Sequence, residues 1–217
     1  MEFMKYELES GTEFTPWQPS TWPDVPASFD GAFADVLERI IQETVLDEIT
    51  NVISDAQKVQ GTLEHRGHVI GLSMLCAIDT LAAYTFPPTN VPCPSCGRGD
   101  TVGPNYRSFI TEYFPADYQL FAEQLYTLYR STMVHSWNLF GVGILPGDEN
   151  ISNDGGVLFF GLLNFNAALK TAFGQYKDAL AADAEVQKAS LARYRQLKAT
   201  ARRLPARPAM PSATGAL

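Results

Sequence analysis

The chain has 217 residues, of which 46% are apolar and 12% aromatic, and its formal net charge is −8. This composition suffices for one globular domain with a hydrophobic core, and an acidic chain is a poor non-specific binder of nucleic acid. No stretch approaches about 18 uninterrupted apolar residues and no basic region precedes an apolar run at the N-terminus, so we expect neither a membrane span nor a secretory signal.

The negative charge is concentrated in the first 184 residues. Residues 185–217 contain seven Lys and Arg and one Glu, a net charge of +6, so the rest of the chain carries −14. We interpret the basic end as a solvated helix face followed by a polar tail, with a local anchor for an anionic partner as the alternative.

Residues 1–29 form a proline-rich and aromatic N-terminal arm. Four prolines prevent a continuous helix in this stretch. A disordered tail has no need of four large aromatic residues, so we expect the arm to pack on the body or on a partner subunit; these residues are Phe14, Trp17, Trp22 and Phe29.

Apolar residues at helical spacing predict five helices, with Asp30 as the first N-cap. Their expected ranges are 31–59, 63–84, 105–114, 116–137 and 164–203. Val52 and Val69 belong to the apolar patterns of the first two helices. Asn164 is the expected N-cap of the last helix, whose alanine-rich second half we expect to protrude or pack loosely. Residues 204–217 are predicted to be a disordered tail.

Two segments interrupt this helical pattern. Residues 87–103 are rich in Gly and Pro and predict a loop. Within residues 138–163, two apolar runs (139–145 and 156–163) flank a polar stretch, which predicts a β-hairpin or a pair of extended segments. The expected fold is therefore mainly all-α: an antiparallel bundle of four to five helices over residues 30–203 with one extended insert.

The helix predicted at 116–137 is amphipathic. Its expected core stripe is Tyr118, Phe121, Ala122, Leu125, Tyr129, Thr132 and Ser136. A second apolar strip, made of Tyr126, Met133 and Trp137, suggests a contact with another helix or a second chain. Arg130 and His135 lie about 140° apart on an ideal helix, so one straight helix cannot aim both at one atom.

Arg130 and His135 form an R-x4-H motif in the context LYTLYRSTMVHSW. This motif near the end of a bundle helix resembles the HEPN superfamily (higher eukaryotes and prokaryotes nucleotide-binding domains). FITEYFPADYQLFAEQLY, which precedes it, also looks like bacterial HEPN-like proteins. The resemblance extends over roughly residues 30–180, and its specific part is the motif helix.

The resemblance implies a metal-independent endoribonuclease of a toxin–antitoxin or anti-phage defence system. His135 would be the general acid or base, and Arg130 would hold the phosphate and stabilise the charge of the transition state. In the family two motifs meet across a homodimer cleft. Ser131 follows the arginine, where active members usually carry Asn, Asp or His. Trp137 stands where one toxin branch has a tyrosine that a partner nucleotidyltransferase modifies.

A catalytically silent HEPN-like module that binds a partner protein or a nucleotide is the alternative. In that case Arg130 would pair with Glu123 or stack on Trp137, and His135 would be a hydrogen-bonded residue at the helix end. Ser131, the acidic body and the aromatic arm favour this second interpretation.

Cys93 and Cys96 form a C-x2-C pair, which is half of a structural zinc site. His65 and His68, or the same two cysteines of a second chain, could complete it. Two free thiols and a redox pair are the alternatives, and we expect no other cofactor. Three cysteines in all, without a secretory signal, favour a reducing cytoplasmic location.

Overall fold

The protein is mostly helical with a small three-stranded sheet. The computed structural model describes residues 6–7, 13–14, 22–59, 62–88, 91–92, 99–100, 102–128 and 142–201. Two short strands, β1 (Tyr6–Glu7) and β2 (Glu13–Phe14), pair antiparallel near the N-terminus, where only irregular chain was expected.

The first predicted helix is confirmed, with one irregularity in its middle. Asp30 is its N-cap, and its carboxylate accepts a hydrogen bond from the backbone N–H of Phe33 at 2.8 Å. The helix consists of α1 (Gly31–Ile41), a π-helical turn (Gln42–Leu46) and α2 (Asp47–Gln57). The Gln42 side-chain amide donates to the Asp47 carboxylate, a contact between residues five positions apart that matches the wider turn.

Helix α3 (Thr62–Thr85) is the centre of the fold, and its predicted range is confirmed within a residue at each end. It packs against α2 and against three helices described below. Residues 66–85 are long and apolar enough to span a membrane by length and composition, but 56% of the best window is buried against the rest of the protein. The fully buried side chains on its inner face are Ile70, Met74, Leu75, Ile78 and Leu81.

The single helix predicted at 116–137 is interrupted in the described part. After α4 (Gly103–Tyr113), the short α5 (Ala116–Gln119) ends and α6 (Ala122–Thr127) begins. Phe121 leaves the helical region, with φ −108° and ψ 13°. The break leaves Leu120 80% exposed. Five residues near it are nonetheless buried, three of them from the predicted core stripe: Tyr118, Ala122, Leu125, Tyr126 and Leu128.

The extended insert forms three strands and not a simple hairpin. Strands β3 (Val91–Pro92) and β4 (Gly99–Asp100) precede α4, and β5 (Val142–Leu145), β6 (Ser152–Asp154) and β7 (Val157–Gly161) follow α6. The two apolar runs pair parallel as β5 and β7, so the predicted hairpin between them is wrong and the predicted extended segments are confirmed.

The hairpin forms one strand later, between β6 and β7. Gly155 and Gly156 both have positive φ, 58° and 86°, as a two-residue turn between twisted strands requires. The polar stretch thus supplies the edge strand. Helix α3 approaches the sheet closely at Gly71, which has no Cβ atom. A Cβ atom at this position would lie only 2.8 Å from Cδ1 of Ile144.

The last predicted helix is two helices, α7 (Leu162–Ala182) and α8 (Ala184–Ala201). Asp183 separates them with ψ 116°, and its carboxylate accepts the backbone N–H of Glu185 at 2.8 Å. Asp183 therefore caps α8. An aspartate within an alanine-rich run is a typical helix start, so the sequence could have indicated this boundary. Asn164 lies inside the first turn of α7 and bonds to Asn150 at 3.1 Å, so its predicted role as N-cap is wrong.

The second half of α8 does not pack loosely, because it holds the described end of the N-terminal arm. The Trp22 ring stacks on Tyr194 with centroids 5.6 Å apart, and the Tyr194 hydroxyl donates to the Pro23 carbonyl at 2.7 Å. Lys198 donates to the Trp22 carbonyl at 2.6 Å and Arg195 to two further carbonyls of the arm. Packing of the arm on the body is thus confirmed for residues 22–29.

Replacing Lys198 with Met should lower the free energy of unfolding by about 1–3 kcal/mol, because it leaves the partly buried Trp22 carbonyl without its donor. Lys198 is only 5% exposed. Lys188→Met is the matched control, since its side chain is 77% exposed, and should change stability by less than about 0.5 kcal/mol. Urea unfolding followed by circular dichroism measures the stability of both variants. Equal unfolding midpoints for Lys198→Met and Lys188→Met would contradict a stabilising role of the Lys198–Trp22 hydrogen bond.

Alkaline pH should destabilise the protein through its buried tyrosines. Burial raises the pKa of Tyr118 and of Tyr194 to about 12, with the carboxylates of Asp117 and Asp24 adding to the shifts. Below the unfolded pKa of about 10 both states are neutral. Stability should fall as pH rises from there to about 12, because only the unfolded state ionises readily. Phenolate absorbance should show these tyrosines titrating late; titration of all nine near pH 10 before unfolding would contradict this.

Candidate functional site

Helix α6, which directly precedes the R-x4-H motif, is fixed to α4 by an aromatic and ionic contact. The guanidinium of Arg107 lies 4.8 Å above the ring centroid of Tyr126, and the rings of Tyr106 and Tyr126 are 5.6 Å apart. The same guanidinium lies 3.4 Å from a carboxylate oxygen of Glu123. Arg107 therefore bridges two residues of α6, and the approach to the motif is anchored in the body.

A second cluster of aromatic rings packs around Tyr118 and supports α5. Tyr118 packs against Phe114 and Phe165 with centroids 5.8 and 5.5 Å away, and Phe165 in turn meets Phe160 at 4.8 Å. The Tyr118 hydroxyl is buried without a hydrogen-bond partner among the residues that the structure describes. Burial raises the pKa of this phenol from 10 to about 12, so it stays protonated further into the alkaline range than an exposed tyrosine does.

The motif residues themselves lie outside the described residues. This applies to Arg130, Ser131 and His135, so their mutual geometry stays a prediction. Met133 and Trp137 are also outside. Tyr126, the third member of the predicted apolar strip, is only 9% exposed and packs on Tyr106 of α4, so the predicted contact with another helix is confirmed for this residue.

Glu123, the partner expected for Arg130 in the non-catalytic interpretation, is engaged by Arg107. Sequence spacing could not have found this contact, because α4 and α6 are separate elements joined through the breaks at Pro115 and Phe121.

The predicted zinc ligands Cys93 and Cys96 also lie outside the described residues. The chain on either side of them is paired, Val91 with Asp100 and Pro92 with Gly99. Asn105 donates to the Pro87 carbonyl at 2.9 Å and so holds both ends of this loop near the C-terminal end of α3.

This tether disfavours the two-cysteine, two-histidine site. His68 lies 17 residues before the end of α3, about 25 Å along the helix. Nothing is described of the His65 side chain. No three His, Cys, Asp or Glu side chains cluster among the described residues. A pair of cysteines from each of two chains is the zinc arrangement that still fits the tether.

An apolar groove between α2 and α3 is a site that the sequence analysis missed. Its volume is about 540 Å³. Val52 and Val69, which belong to the apolar patterns of the first two predicted helices, are 40% and 55% exposed on it. The lining residues are Thr44, Val45, Glu48, Ile49, Val52, Val69, Ile70, Leu72, Ser73, Cys76, Ala77 and Thr80.

A second cavity of about 340 Å³ lies where the end of α3 meets α8 and the start of α4. Asp79, Asn105 and Arg193 supply its polar surface. Arg193 donates to Gln196 at 2.8 Å, while its Nε is buried and has no acceptor in the described part of the chain. Opposite charges on facing walls suit a small polar solute or water better than an anion alone.

No protein family, curated protein or solved structure matches this chain in sequence or structure comparisons. The function of this chain is therefore inferred from its own residues.

Zinc analysis of the purified protein tests the cysteine prediction. If Cys93 and Cys96 of two chains share one ion, the protein should contain about half a zinc per chain, and Cys93→Ser should remove it. Cys76→Ser is the control, because Cys76 is an exposed cysteine on α3 that is distant in sequence from the C-x2-C pair. Unchanged zinc in Cys93→Ser, or none in the wild type, would contradict the site.

Proposed function

We propose that this chain is a HEPN-like, metal-independent endoribonuclease whose helices form an antiparallel bundle and whose reacting groups are Arg130 and His135. The observation that supports it best is the position of the R-x4-H motif. The motif begins two residues after Leu128, which is buried, and follows a helix that Arg107 ties to the body. A catalytic pair needs such a fixed support, because small displacements cost much of the rate.

The proposed reaction is an internal transfer within RNA. His135 takes the proton of a 2′-hydroxyl, whose oxygen attacks the adjacent phosphorus, and the 5′-oxygen leaves with a proton from an imidazolium. Arg130 stabilises the negative charge that gathers on the phosphoryl oxygens. Ser131 offers a hydroxyl beside the arginine. The products are a 2′,3′-cyclic phosphate and a 5′-hydroxyl, and the balance requires no metal.

The proposed active form is a homodimer. The 140° between Arg130 and His135 on an ideal helix is compatible with one site if the helix end is distorted or if two copies of the motif meet, and the proposal takes the second arrangement. Since Tyr126 is occupied within the chain, the seam would be formed by Met133 and Trp137 with other surfaces. A cognate antitoxin or another partner protein would control such an enzyme, and the cytoplasm would be its compartment.

The charge distribution favours a second candidate function, a non-catalytic HEPN-like module that binds a partner. Residues 31–59 carry six Asp and Glu against two Lys and Arg. An acidic helical face repels the phosphates of RNA, so it supports protein binding over nucleic-acid binding.

An RNase assay in EDTA separates the two functions. His135→Ala should lower cleavage by about 10²-fold or more, the usual contribution of a general acid or base, and should leave circular dichroism unchanged. His68→Ala is the matched control, because His68 lies on α3 away from the motif, and should retain activity. Equal cleavage by the wild type and His135→Ala, or no cleavage by either, would contradict the enzyme and favour the binding module.

A further inference from the structure

Two of the four exposed large apolar side chains of the described structure, Val52 and Val69, line the α2–α3 groove and are 40% and 55% exposed. A third, Val59, is 60% exposed and lies in the connection between the two helices. The fourth, Leu120, stands alone at the break between α5 and α6. A cluster of this kind beside a groove is typical of a protein contact, whereas a single exposed leucine is not.

The groove has the dimensions of a short helix. Its lining runs from Thr44 to Val52 along the π-helical turn and α2, and from Val69 to Thr80 on α3. At a rise of about 1.5 Å per residue these stretches are roughly 12 and 16 Å long, which corresponds to two or three helical turns. An amphipathic helix binds such a groove through side chains spaced three, four and seven residues apart.

The polar groups of the lining do not require a polar occupant. The hydroxyls of Thr44, Ser73 and Thr80 each donate to the carbonyl four residues earlier, at 2.6, 2.9 and 3.1 Å. Their donors are therefore already satisfied within their own helices. An apolar side chain can cover them without leaving a buried donor unpaired.

The charge of the groove selects a basic partner. Glu48 is the one charged residue of its lining, it is exposed, and no cation pairs with it among the residues that the structure describes. The surrounding stretch, residues 31–59, carries a net charge of −4. Two copies that met face to face here would bring two Glu48 side chains and two acidic helices together, which is unfavourable.

We propose that the α2–α3 groove binds an amphipathic helix of a partner protein, with an apolar stripe on Val52, Val69 and Leu72 and a Lys or Arg facing Glu48. This inference is independent of RNA cleavage, because none of the residues involved belongs to the R-x4-H motif. The partner is defined by its chemistry, a basic amphipathic helix.

Binding of two synthetic peptides tests the groove, measured by fluorescence anisotropy near physiological salt. One is a helix of about 14 residues, roughly four turns, with a leucine stripe and lysines elsewhere. The other has glutamates in place of the lysines. The lysine peptide should bind at least about tenfold more tightly. Glu48→Gln should weaken the lysine peptide several-fold without weakening the glutamate peptide.

Three variants separate apolar docking from general attraction to an acidic protein. Val52→Asp and Val69→Asp should each weaken the lysine peptide by about tenfold or more, although each adds a negative charge. Leu120→Asp makes the same charge change on an 80% exposed residue outside the groove and should not weaken binding.

Two results would overturn the proposal. Equal affinity of the peptide for Val69→Asp, Leu120→Asp and the wild type would show binding by charge alone. A loss of dimer mass in sedimentation with Val69→Asp, together with no binding of the lysine peptide to the wild type, would show that a second copy covers the groove. Circular dichroism should confirm that the variants stay folded, which their exposed positions favour.

Discussion

The burial of α3 is the constraint on which the rest of the structure depends. A helix that is apolar over most of its circumference must be covered on most sides, and here α2, α4, α7, α8 and β5 supply the cover. Gly71 allows the sheet to come close enough to close one side. The side that stays open, around Val69, Leu72 and Cys76, is the α2–α3 groove. The α2–α3 groove is therefore the part of the surface of α3 that its packing leaves uncovered.

Hydrogen bonds join α8 to residues 22–29, a segment that has almost no regular structure. Residues 22–29 cannot form a helix, so their carbonyls need donors when they are buried. Tyr194, Arg195 and Lys198 are spaced along one side of α8 and supply those donors. The Tyr84 carbonyl and Ser190 hydroxyl, 2.8 Å apart, add a similar bond between α3 and α8. The basic character of α8 is thus partly structural, and it is not simply a solvated face.

The segment that leads into the motif, residues 116–128, depends on tertiary contacts more than on its own periodicity. Pro115 and the non-helical Phe121 divide the chain into short pieces that are too short to be stable alone. The aromatic cluster under Tyr118 and the Arg107 bridge hold these pieces in place. This arrangement gives the residues that follow Leu128 a fixed starting point and leaves three polar residues of α6, Glu123, Gln124 and Thr127, exposed.

Local sequence was enough to determine the mainly helical class, the cap at Asp30, the extent of α3 and the strand character of both apolar runs. Each of these features depends on side chains that are near one another in the chain. It also picked out Arg130 and His135 by their chemistry and spacing. Tertiary structure alone decided the parallel pairing of β5 with β7, the burial of Tyr126 and the exposure of Val52 and Val69. Periodicity says which side of a helix is apolar, but whether a neighbour covers that side depends on elements distant in sequence.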